Sequence, residues 1–280
     1  MPELAYLNGE ILPIEKACVS IEDRGYQFGD AVYEFIASYK GKLFCLDEHL
    51  DRLERSMQGL CMPLLPREDL HEAIMTLFEK AGIARAGIYM QISRGVSPRN
   101  HPFPQDAKLQ FVMTIRPVEE KPPELRRNGA TAITVEDFRW GRCDLKTVQL
   151  LPNVLAKQKA EEAGAFDAIF VSQEGVVREA TSSNIFIVTG GRLKTHPLSP
   201  QILPGITRKV VIELSRSIDL PVEESLFGTQ DLFGADEAFL TGTVTEVLPI
   251  VTIDGIRIGN GVVGSVTSRL YESLKQKAGV

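Results

Sequence analysis

The chain has 280 residues, of which 44% are hydrophobic and 24% are charged, a composition typical of a soluble globular protein with one or two domains. Its formal net charge of −6 argues against a general binder of nucleic acids or membrane surfaces, because such proteins present a basic face. No stretch approaches the roughly 20 apolar residues of a membrane span, and the first residues lack a secretion signal. The four cysteines are scattered, so we expect reduced thiols, no metal site and a cytoplasmic protein.

The first part of the chain shows alternating strand and helix patterns. The spacing of apolar residues predicts, in chain order, a strand, two helices and two strands, over residues 31–39, 47–60, 67–81, 87–95 and 109–117. Asp47 is the expected N-cap of the first helix. The segment 96–108, VSPRNHPFPQDAK, contains three prolines, and we expect an irregular loop there.

The polar segment 119–129 contains two prolines and is the expected linker between two domains. A small N-terminal α/β domain would then span residues 1–118, and a larger C-terminal α/β domain carrying Lys146 would span residues 130–280. Strand-like runs in the second part alternate with helices predicted around 152–163 and over 207–217. Because the elements follow no regular βαβ rhythm and no GxGxxG or Walker loop is present, we predict an α+β (mixed α/β) fold rather than a doubly wound sheet.

Lys146 is a candidate nucleophile in the segment RWGRCDLKTVQLL, with uncharged neighbours on both sides. A lysine must be neutral to attack a carbonyl group, and its ordinary pKa of about 10.4 makes this rare at neutral pH without burial or a cationic neighbour. Taken alone, Lys146 is more typical of a surface lysine. Only its occurrence together with other motifs favours a catalytic role.

Two hydroxyl-bearing segments are candidates for binding an anion. In LPGITRKVVIEL, residues 203–214, Thr207 is predicted to open a helix, and backbone N–H groups at a helix start attract anions. The second segment is TGTVTE, residues 241–246, which follows a predicted strand. Taken alone, the first segment is more typical of a helix with an ordinary threonine N-cap, but the two segments together favour a phosphate site.

Charged residues in two further segments could recognise a cofactor or a substrate. Glu179 precedes a hydroxyl-rich turn, where its carboxylate could pair with a protonated ring nitrogen. Arg99 and His101 lie in the loop 96–108, and Tyr33 lies on an early strand. An arginine offers a fork of donors that suits a carboxylate, and the other two side chains can add donors.

In this order, the motifs resemble those of the fold-type IV family of pyridoxal-phosphate (PLP) dependent enzymes, and within it the D-amino acid transaminases. The matching stretches span nearly the whole chain: EDRGYQFGDAVYE (22–34), DEHLDRL (47–53), SRGVSPRNHPFP (93–104), RWGRCDLKTVQLL (139–151), REATSSN (178–184), LPGITR (203–208) and TGTVTE (241–246). The resemblance implies a two-domain enzyme with the active site between the domains.

The resemblance also implies roles for individual residues. Lys146 would hold PLP covalently and move a proton during the reaction, while Glu179 would keep the pyridine nitrogen of the cofactor protonated. The phosphate would be bound by two side chains and by the first backbone N–H groups of a helix: Arg52, Thr243, Ile206 and Thr207.

For the substrate, the resemblance implies that Tyr33, Arg99 and His101 bind the α-carboxylate. In the family, the Arg-x-His pair comes from the neighbouring subunit, so a homodimer is implied. Two departures from the family pattern bear on the cofactor site. Gly242 stands where relatives can have a hydroxyl group, and Ala180 and Thr181 stand where Gly and Ser are usual.

The function that we predict is transfer of the amino group of a D-amino acid to a 2-oxo acid such as 2-oxoglutarate. The Arg-x-His loop favours D-substrates, because branched-chain aminotransferases share the lysine, glutamate and phosphate motifs but not this loop. The alternatives on the same fold are an L-branched-chain amino acid aminotransferase and an R-selective amine transaminase, and we favour all of these over an aminodeoxychorismate lyase. A catalytically silent PLP-binding scaffold is disfavoured, because it would need neither Lys146 nor Glu179.

Overall fold

The computed structural model describes residues 3–106 and 108–280, and its contacts divide the chain into two units. Unit 1 runs to Glu119 and also takes in Leu145–Gln149, while unit 2 contains Glu120–Asp144 and Leu150–Val280. Both units mix helices and strands, so the predicted α+β class is confirmed. None of the helices in the described part of the chain is long and apolar enough to cross a bilayer.

Unit 1 is built on a six-stranded sheet in the order β2-β1-β6-β5-β3-β4, with every pairing antiparallel. Its elements are β1 (Leu4–Leu7), β2 (Glu10–Pro13), α1 (Arg24–Phe28), β3 (Ala31–Tyr39), β4 (Lys42–Leu43), α2 (Leu46–Gly59), α3 (Arg67–Ala81), β5 (Ala86–Ser93) and β6 (Gln110–Pro117). Alternate residues of β3 form one hydrophobic core with α2 and α3, and fully buried Val32 and Ile36 belong to it. The same alternation directs Glu34 towards α2.

Unit 2 contains a nine-stranded mixed sheet, in the order β12-β11-β10-β13-β14-β7-β8-β9, with β15 paired to β14. Its strands are β7 (Ala130–Glu136), β8 (Asp167–Val171), β9 (Val177–Ala180), β10 (Asn184–Thr189), β11 (Arg192–Thr195), β12 (Val222–Glu224), β13 (Glu237–Gly242), β14 (Glu246–Ile253) and β15 (Ile256–Arg257). Its helices are α4 (Pro123–Asn128), α5 (Leu151–Glu162), α6 (Ile206–Ser217), α7 (Thr229–Phe233) and α8 (Ser265–Lys277). Phe186 and Phe239 face each other on β10 and β13 with stacked rings, and both are fully buried.

The observed units differ from the expected domains in two places. The segment expected as a linker contains helix α4, and from Glu120 onwards it belongs to unit 2. The segment Leu145–Gln149, which contains Lys146, belongs to unit 1 because it is hydrogen-bonded to β3: Tyr33 N–H donates to Lys146 O at 2.9 Å, and Val148 N–H donates to Ala31 O at 3.1 Å. A segment of five residues is too short to show a periodic pattern of apolar residues, so the sequence does not predict its pairing with β3.

The helix limits agree closely with the sequence pattern, with two corrections. Asp47 is not the N-cap of α2, because that helix begins at Leu46 after Cys45, and Asp47 instead lies in its first turn. Helix α6 begins at Ile206, one residue before Thr207, with Gly205 as its N-cap.

Candidate active site

The backbone of Lys146 is fixed in unit 1, because both its N–H group and its carbonyl group form hydrogen bonds there. Its N–H donates to the Ser56 hydroxyl of α2 at 3.0 Å, and its carbonyl accepts from Tyr33 of β3. The Lys146 ammonium nitrogen lies 4.1 Å from the centroid of the Tyr33 ring. Tyr33, which is expected to contact a substrate carboxylate, is therefore a direct neighbour of this lysine. The lysine itself is half-buried.

Arg52 lies on α2 in the same unit, within a buried cluster of charged side chains. Its Nε donates to Glu34 Oε1 at 2.7 Å and its Nη2 donates to Oε2 at 2.8 Å, the forked geometry of a strong ion pair. His49 Nδ1 lies 2.7 Å from Glu34 Oε2. Burial opposes ionisation of Glu34, but the Arg52 charge and these hydrogen bonds outweigh it and hold its pKa far below the usual range. Burial lowers the pKa of His49, and the neighbouring Glu34 opposes this shift.

The proline-rich loop (residues 96–108) bears Arg99 and His101. The Arg99 guanidinium lies 4.7 Å from the centroid of the Phe28 ring, and the His101 and Phe28 ring centroids are 5.5 Å apart. Arg99 is exposed, and no carboxylate in the described part of the chain forms an ion pair with it. The structure thus brings Arg99 and His101 together on Phe28, and it places Tyr33 beside Lys146.

Glu179 lies at the end of β9 in unit 2 and is only 5% exposed. Its Oε1 accepts from Arg139 Nη1 at 2.6 Å, and its Oε2 accepts from Asn184 Nδ2 at 2.9 Å and from Leu203 N–H at 3.0 Å. Burial raises the pKa of Glu179, and the neighbouring Arg139 charge opposes this rise. The carboxylate is thus held in one orientation with a pKa above its ordinary value.

Helix α6 provides the expected anion site of unit 2. No side chain among the described residues caps this helix, so within that part of the chain its first N–H groups, including those of Ile206 and Thr207, have no side-chain acceptor. Glycine is required at Gly205, because a Cβ there would lie 2.1 Å from Asn184 Oδ1. Helix α6 packs against β13, and Thr243 lies in the turn that follows this strand.

Gly242 and Thr181, which depart from the family pattern, each have a local explanation in unit 2. A Cβ at Gly242 would lie 3.1 Å from Ser183 Oγ and 3.3 Å from Ser182 O, so a larger residue would crowd this turn. The hydroxyl group of buried Thr181 donates to Asp167, whose pKa is raised by burial. Thr181 therefore holds the turn after Glu179 to β8.

Several residues of the site were missed in the sequence, and most of them have partners that are distant along the chain. These are Arg24, Glu34, His49 and Arg139. Asn184 was missed as well, although its partner Glu179 is only five positions away. The available signal was their position inside the matching motifs, together with the acidic Glu34 on the apolar face of a strand. A charge at such a position requires a buried partner.

The chain is similar to known aminotransferases over nearly its whole length. The family model for class IV amino-transferases matches residues 31–253. The D-alanine aminotransferase of Staphylococcus haemolyticus is 42% identical over 272 residues, which are 97% of this chain and 96% of the relative. That of Bacillus licheniformis is 41% identical over 269 residues, 96% of this chain and 94% of the relative.

Solved structures with the same fold include branched-chain amino acid aminotransferases. The Escherichia coli enzyme has a TM-score of 0.92 and 26% identity, with 99% of this chain and 94% of that chain covered. The T.th. enzyme, solved with pyridoxamine 5'-phosphate, has a TM-score of 0.92 and 29% identity with the same coverage. The extent of the family match and the identity to the D-alanine aminotransferases show that the chain belongs to the class IV aminotransferase family.

Proposed function

We propose that this chain is a PLP-dependent transaminase that moves the amino group of a D-amino acid to a 2-oxo acid such as 2-oxoglutarate. Its support in the structure is buried Glu179, which is held by Arg139, Asn184 and the Leu203 backbone in the unit that contains the uncapped start of α6. Its support for the D-hand is the roughly 40% identity to D-alanine aminotransferases together with the exposed Arg99 and His101.

The described residues fit a phosphorylated pyridine cofactor. The uncapped start of α6 offers N–H groups to a phosphate, and Thr207 and Thr243 add hydroxyl groups. The hydroxyl oxygen of buried Thr241, directly before the turn of Thr243, has no hydrogen-bond partner in the described part of the chain. Arg52 is held rigidly by Glu34, as suits a fixed phosphate ligand.

The residues would divide the work of the reaction as follows. PLP supplies the electron sink that accepts the electrons left on the substrate Cα after its proton is removed. Lys146 would hold the cofactor covalently and move that proton between Cα and the cofactor's C4′ atom. Glu179 would accept a hydrogen bond from the protonated pyridine nitrogen and so keep it charged. Tyr33, Arg99 and His101 would bind the substrate α-carboxylate.

The active form that we propose is a homodimer, in which Arg99 and His101 reach the site of the neighbouring subunit. Large apolar side chains support this, since exposing them to water costs free energy that a second copy would recover. Ile21 and Tyr26 of unit 1 are 79% and 76% exposed, and Leu151 of unit 2 is 68% exposed. We also place the enzyme in the cytoplasm, which agrees with its four free cysteines.

The alternative of an L-branched-chain aminotransferase draws its support from the fold, since the similar solved structures include such enzymes. Identity to them is 29% and 26%, against 42% and 41% to the two D-alanine aminotransferases, so the D-hand is favoured.

Borohydride reduction tests the proposed role of Lys146. The purified protein should be yellow, and reduction followed by peptide mapping should find the cofactor on Lys146, because this lysine is the proposed covalent attachment point. A Lys146→Ala variant should carry no label and have no transaminase activity, while Lys159→Ala, which removes an exposed lysine of α5, should behave as the unaltered protein. Labelling at another lysine, or none, would show that the assignment is wrong.

A further inference from the structure

We propose that Arg24 is a positioning residue: its guanidinium holds the proline-rich loop in the conformation in which Arg99 and His101 bind the substrate carboxylate. This inference rests on the proposed function, which assigns the carboxylate to those two side chains. Arg24 is the first residue of α1 and is only 4% exposed, so it contacts the loop from inside the protein.

Three successive carbonyl groups of the proline-rich loop converge on this one guanidinium. Nη1 donates to Asn100 O at 2.6 Å and to Pro102 O at 3.4 Å, and Nη2 donates to His101 O at 3.2 Å. Among the described residues, every hydrogen bond made by residues 98–106 goes to Arg24. The loop has three prolines, which lack N–H groups, so it has few means of fixing its own backbone. The hydrogen bonds that fix the backbone of residues 100–102 therefore all come from the Arg24 side chain.

Arg24 also supports the ring on which the two carboxylate-binding side chains rest. Its guanidinium lies 4.7 Å from the centroid of Phe28, the same distance as that of Arg99, and His101 packs on this ring as well. Removing Arg24 would thus free the backbone of residues 100–102 and remove one of the side chains that pack on the Phe28 ring. The Arg99 side chain would then occupy more conformations in the free enzyme, and ordering it on a carboxylate would cost more conformational entropy.

The charge of Arg24 is balanced by Asp30, which accepts from Arg24 Nε at 2.8 Å. Asp30 Oδ2 also accepts from Arg94 Nε at 2.8 Å. Arg94 is equally buried, at 5% exposed, but its remaining donors go to Leu60 O and Cys61 O rather than to the loop carbonyls. Arg94 also touches the loop, since its guanidinium lies 3.7 Å from the centroid of the Phe103 ring. It is therefore a control for the backbone hydrogen bonds alone: it pairs with Asp30 as Arg24 does, but donates to none of the three loop carbonyls.

A lysine at position 24 separates positioning from charge balance. Lysine can keep the ion pair with Asp30, but its ammonium group is a point charge and cannot form a planar fork towards three carbonyls. In the holoenzyme, Arg24→Lys should keep thermal stability and cofactor binding close to those of the unaltered protein. It should still raise KM for D-alanine and Kd for propionate, a non-reacting carboxylate, by roughly tenfold or more, because a charge-assisted contact is weakened. Propionate binding is followed through the absorption of the bound cofactor.

Amine donors without a carboxylate show whether the effect passes through Arg99 and His101. The rate of the half-reaction with ethylamine should be the same in Arg24→Lys as in the unaltered enzyme, since this donor has nothing for the loop to bind. The double variant Arg24→Lys/Arg99→Ala should be no worse than Arg99→Ala alone, because residues that act through one another are not additive.

Three results would overturn the inference: KM for D-alanine unchanged in Arg24→Lys, an equal loss with ethylamine, or an equal rise of KM in Arg94→Lys. Arg99→Ala distinguishes this failure from failure of the proposed function. If Arg99→Ala leaves KM unchanged, the carboxylate assignment itself is wrong. If Arg99→Ala raises KM and Arg24→Lys does not, only the role of Arg24 is wrong.

Discussion

Glu179 and Arg139 form the residue pair on which the chemistry of the cofactor would depend most. Arg139 donates to Glu179 through Nη1, to both carboxylate oxygens of Asp137 through Nε and Nη2, and to Gln201 O. The arginine side chain is 5% exposed, so it fixes Glu179 from inside the protein. Removing one partner of a buried pair costs on the order of 3–5 kcal/mol, because the other charge is left without compensation.

Replacing Arg139 with methionine should shift the pH dependence of the reaction. Burial raises the pKa of Glu179 and Arg139 opposes the rise, so its loss moves this pKa further up. At neutral pH more of Glu179 would then be protonated and unable to keep the pyridine nitrogen charged. The acidic limb of the kcat/KM profile should move to higher pH, and kcat at pH 7 should fall roughly tenfold or more.

The control for this variant is Arg142→Met. Arg142 lies in the same segment and also pairs with an aspartate two positions away, Asp144. Unlike Arg139, the Arg142 side chain is exposed. Its loss should leave the pH profile unchanged. An acidic limb at the same pH in Arg139→Met and the unaltered enzyme would contradict the role given to Arg139.

At the residue scale, the sequence pointed to candidate ligands but not to the side chains that hold them. Lys146 and Glu179 were singled out because they lie in motifs with a familiar order, and their roles remain proposals. Arg139 was missed, since its contact with Glu179 spans 40 positions and only the fold brings the two together. Glu34 and His49 were missed for the same reason, although they hold Arg52.

At the scale of elements, regular helices were predictable and short crossings were not. Helix α3 spans Arg67–Ala81 as predicted, because its apolar spacing is clear and Gly82 ends it with φ of 63°. Helix α2 begins earlier than expected, because Cys45 takes the N-cap position with φ of 55° in place of Asp47. The stretch Leu145–Gln149 pairs with β3 through only a few hydrogen bonds. Five residues contain too little of a pattern to predict this pairing from the sequence.

The start of α6 depends on a glycine that the motif LPGITR includes for a steric reason. In Gly205→Ala, the added Cβ would meet Asn184 Oδ1 at 2.1 Å and displace the amide that bonds to Glu179 and to Leu203 O. The first N–H groups of α6 would shift with it. Because these would bind the phosphate, Kd for the cofactor should rise about tenfold, equivalent to about 1.4 kcal/mol, as measured by absorbance titration of the cofactor-free protein.

Gly228→Ala is the matched control, since Gly228 is the N-cap of α7 and a Cβ there would meet its nearest atom at 3.4 Å, an ordinary contact. This variant should bind the cofactor as the unaltered protein does. Equal cofactor affinity in Gly205→Ala would show that the start of α6 does not bind the phosphate.

At the scale of the whole molecule, the fold class was predictable and the substrate is not decided by the fold. The α+β (mixed α/β) class was predicted from strands and helices without a βαβ rhythm, and this prediction is confirmed. The same fold is found in branched-chain aminotransferases at a TM-score of 0.92, while the similar sequences include D-alanine aminotransferases. The hand of the substrate must therefore come from local groups, of which we assign Arg99 and His101 in the proline-rich loop the largest part.

The most direct test of this account is a half-reaction screen on the holoenzyme, with D-alanine and D-glutamate compared with L-leucine and L-glutamate. Each donor is mixed with the enzyme, and the loss of the yellow absorption of the bound cofactor is followed in time. We expect the two D-amino acids to bleach it faster than either L-amino acid, because in the proposed site the loop would place their carboxylate for proton transfer at Lys146. Faster bleaching by L-leucine or L-glutamate would contradict the D-amino acid transaminase assignment.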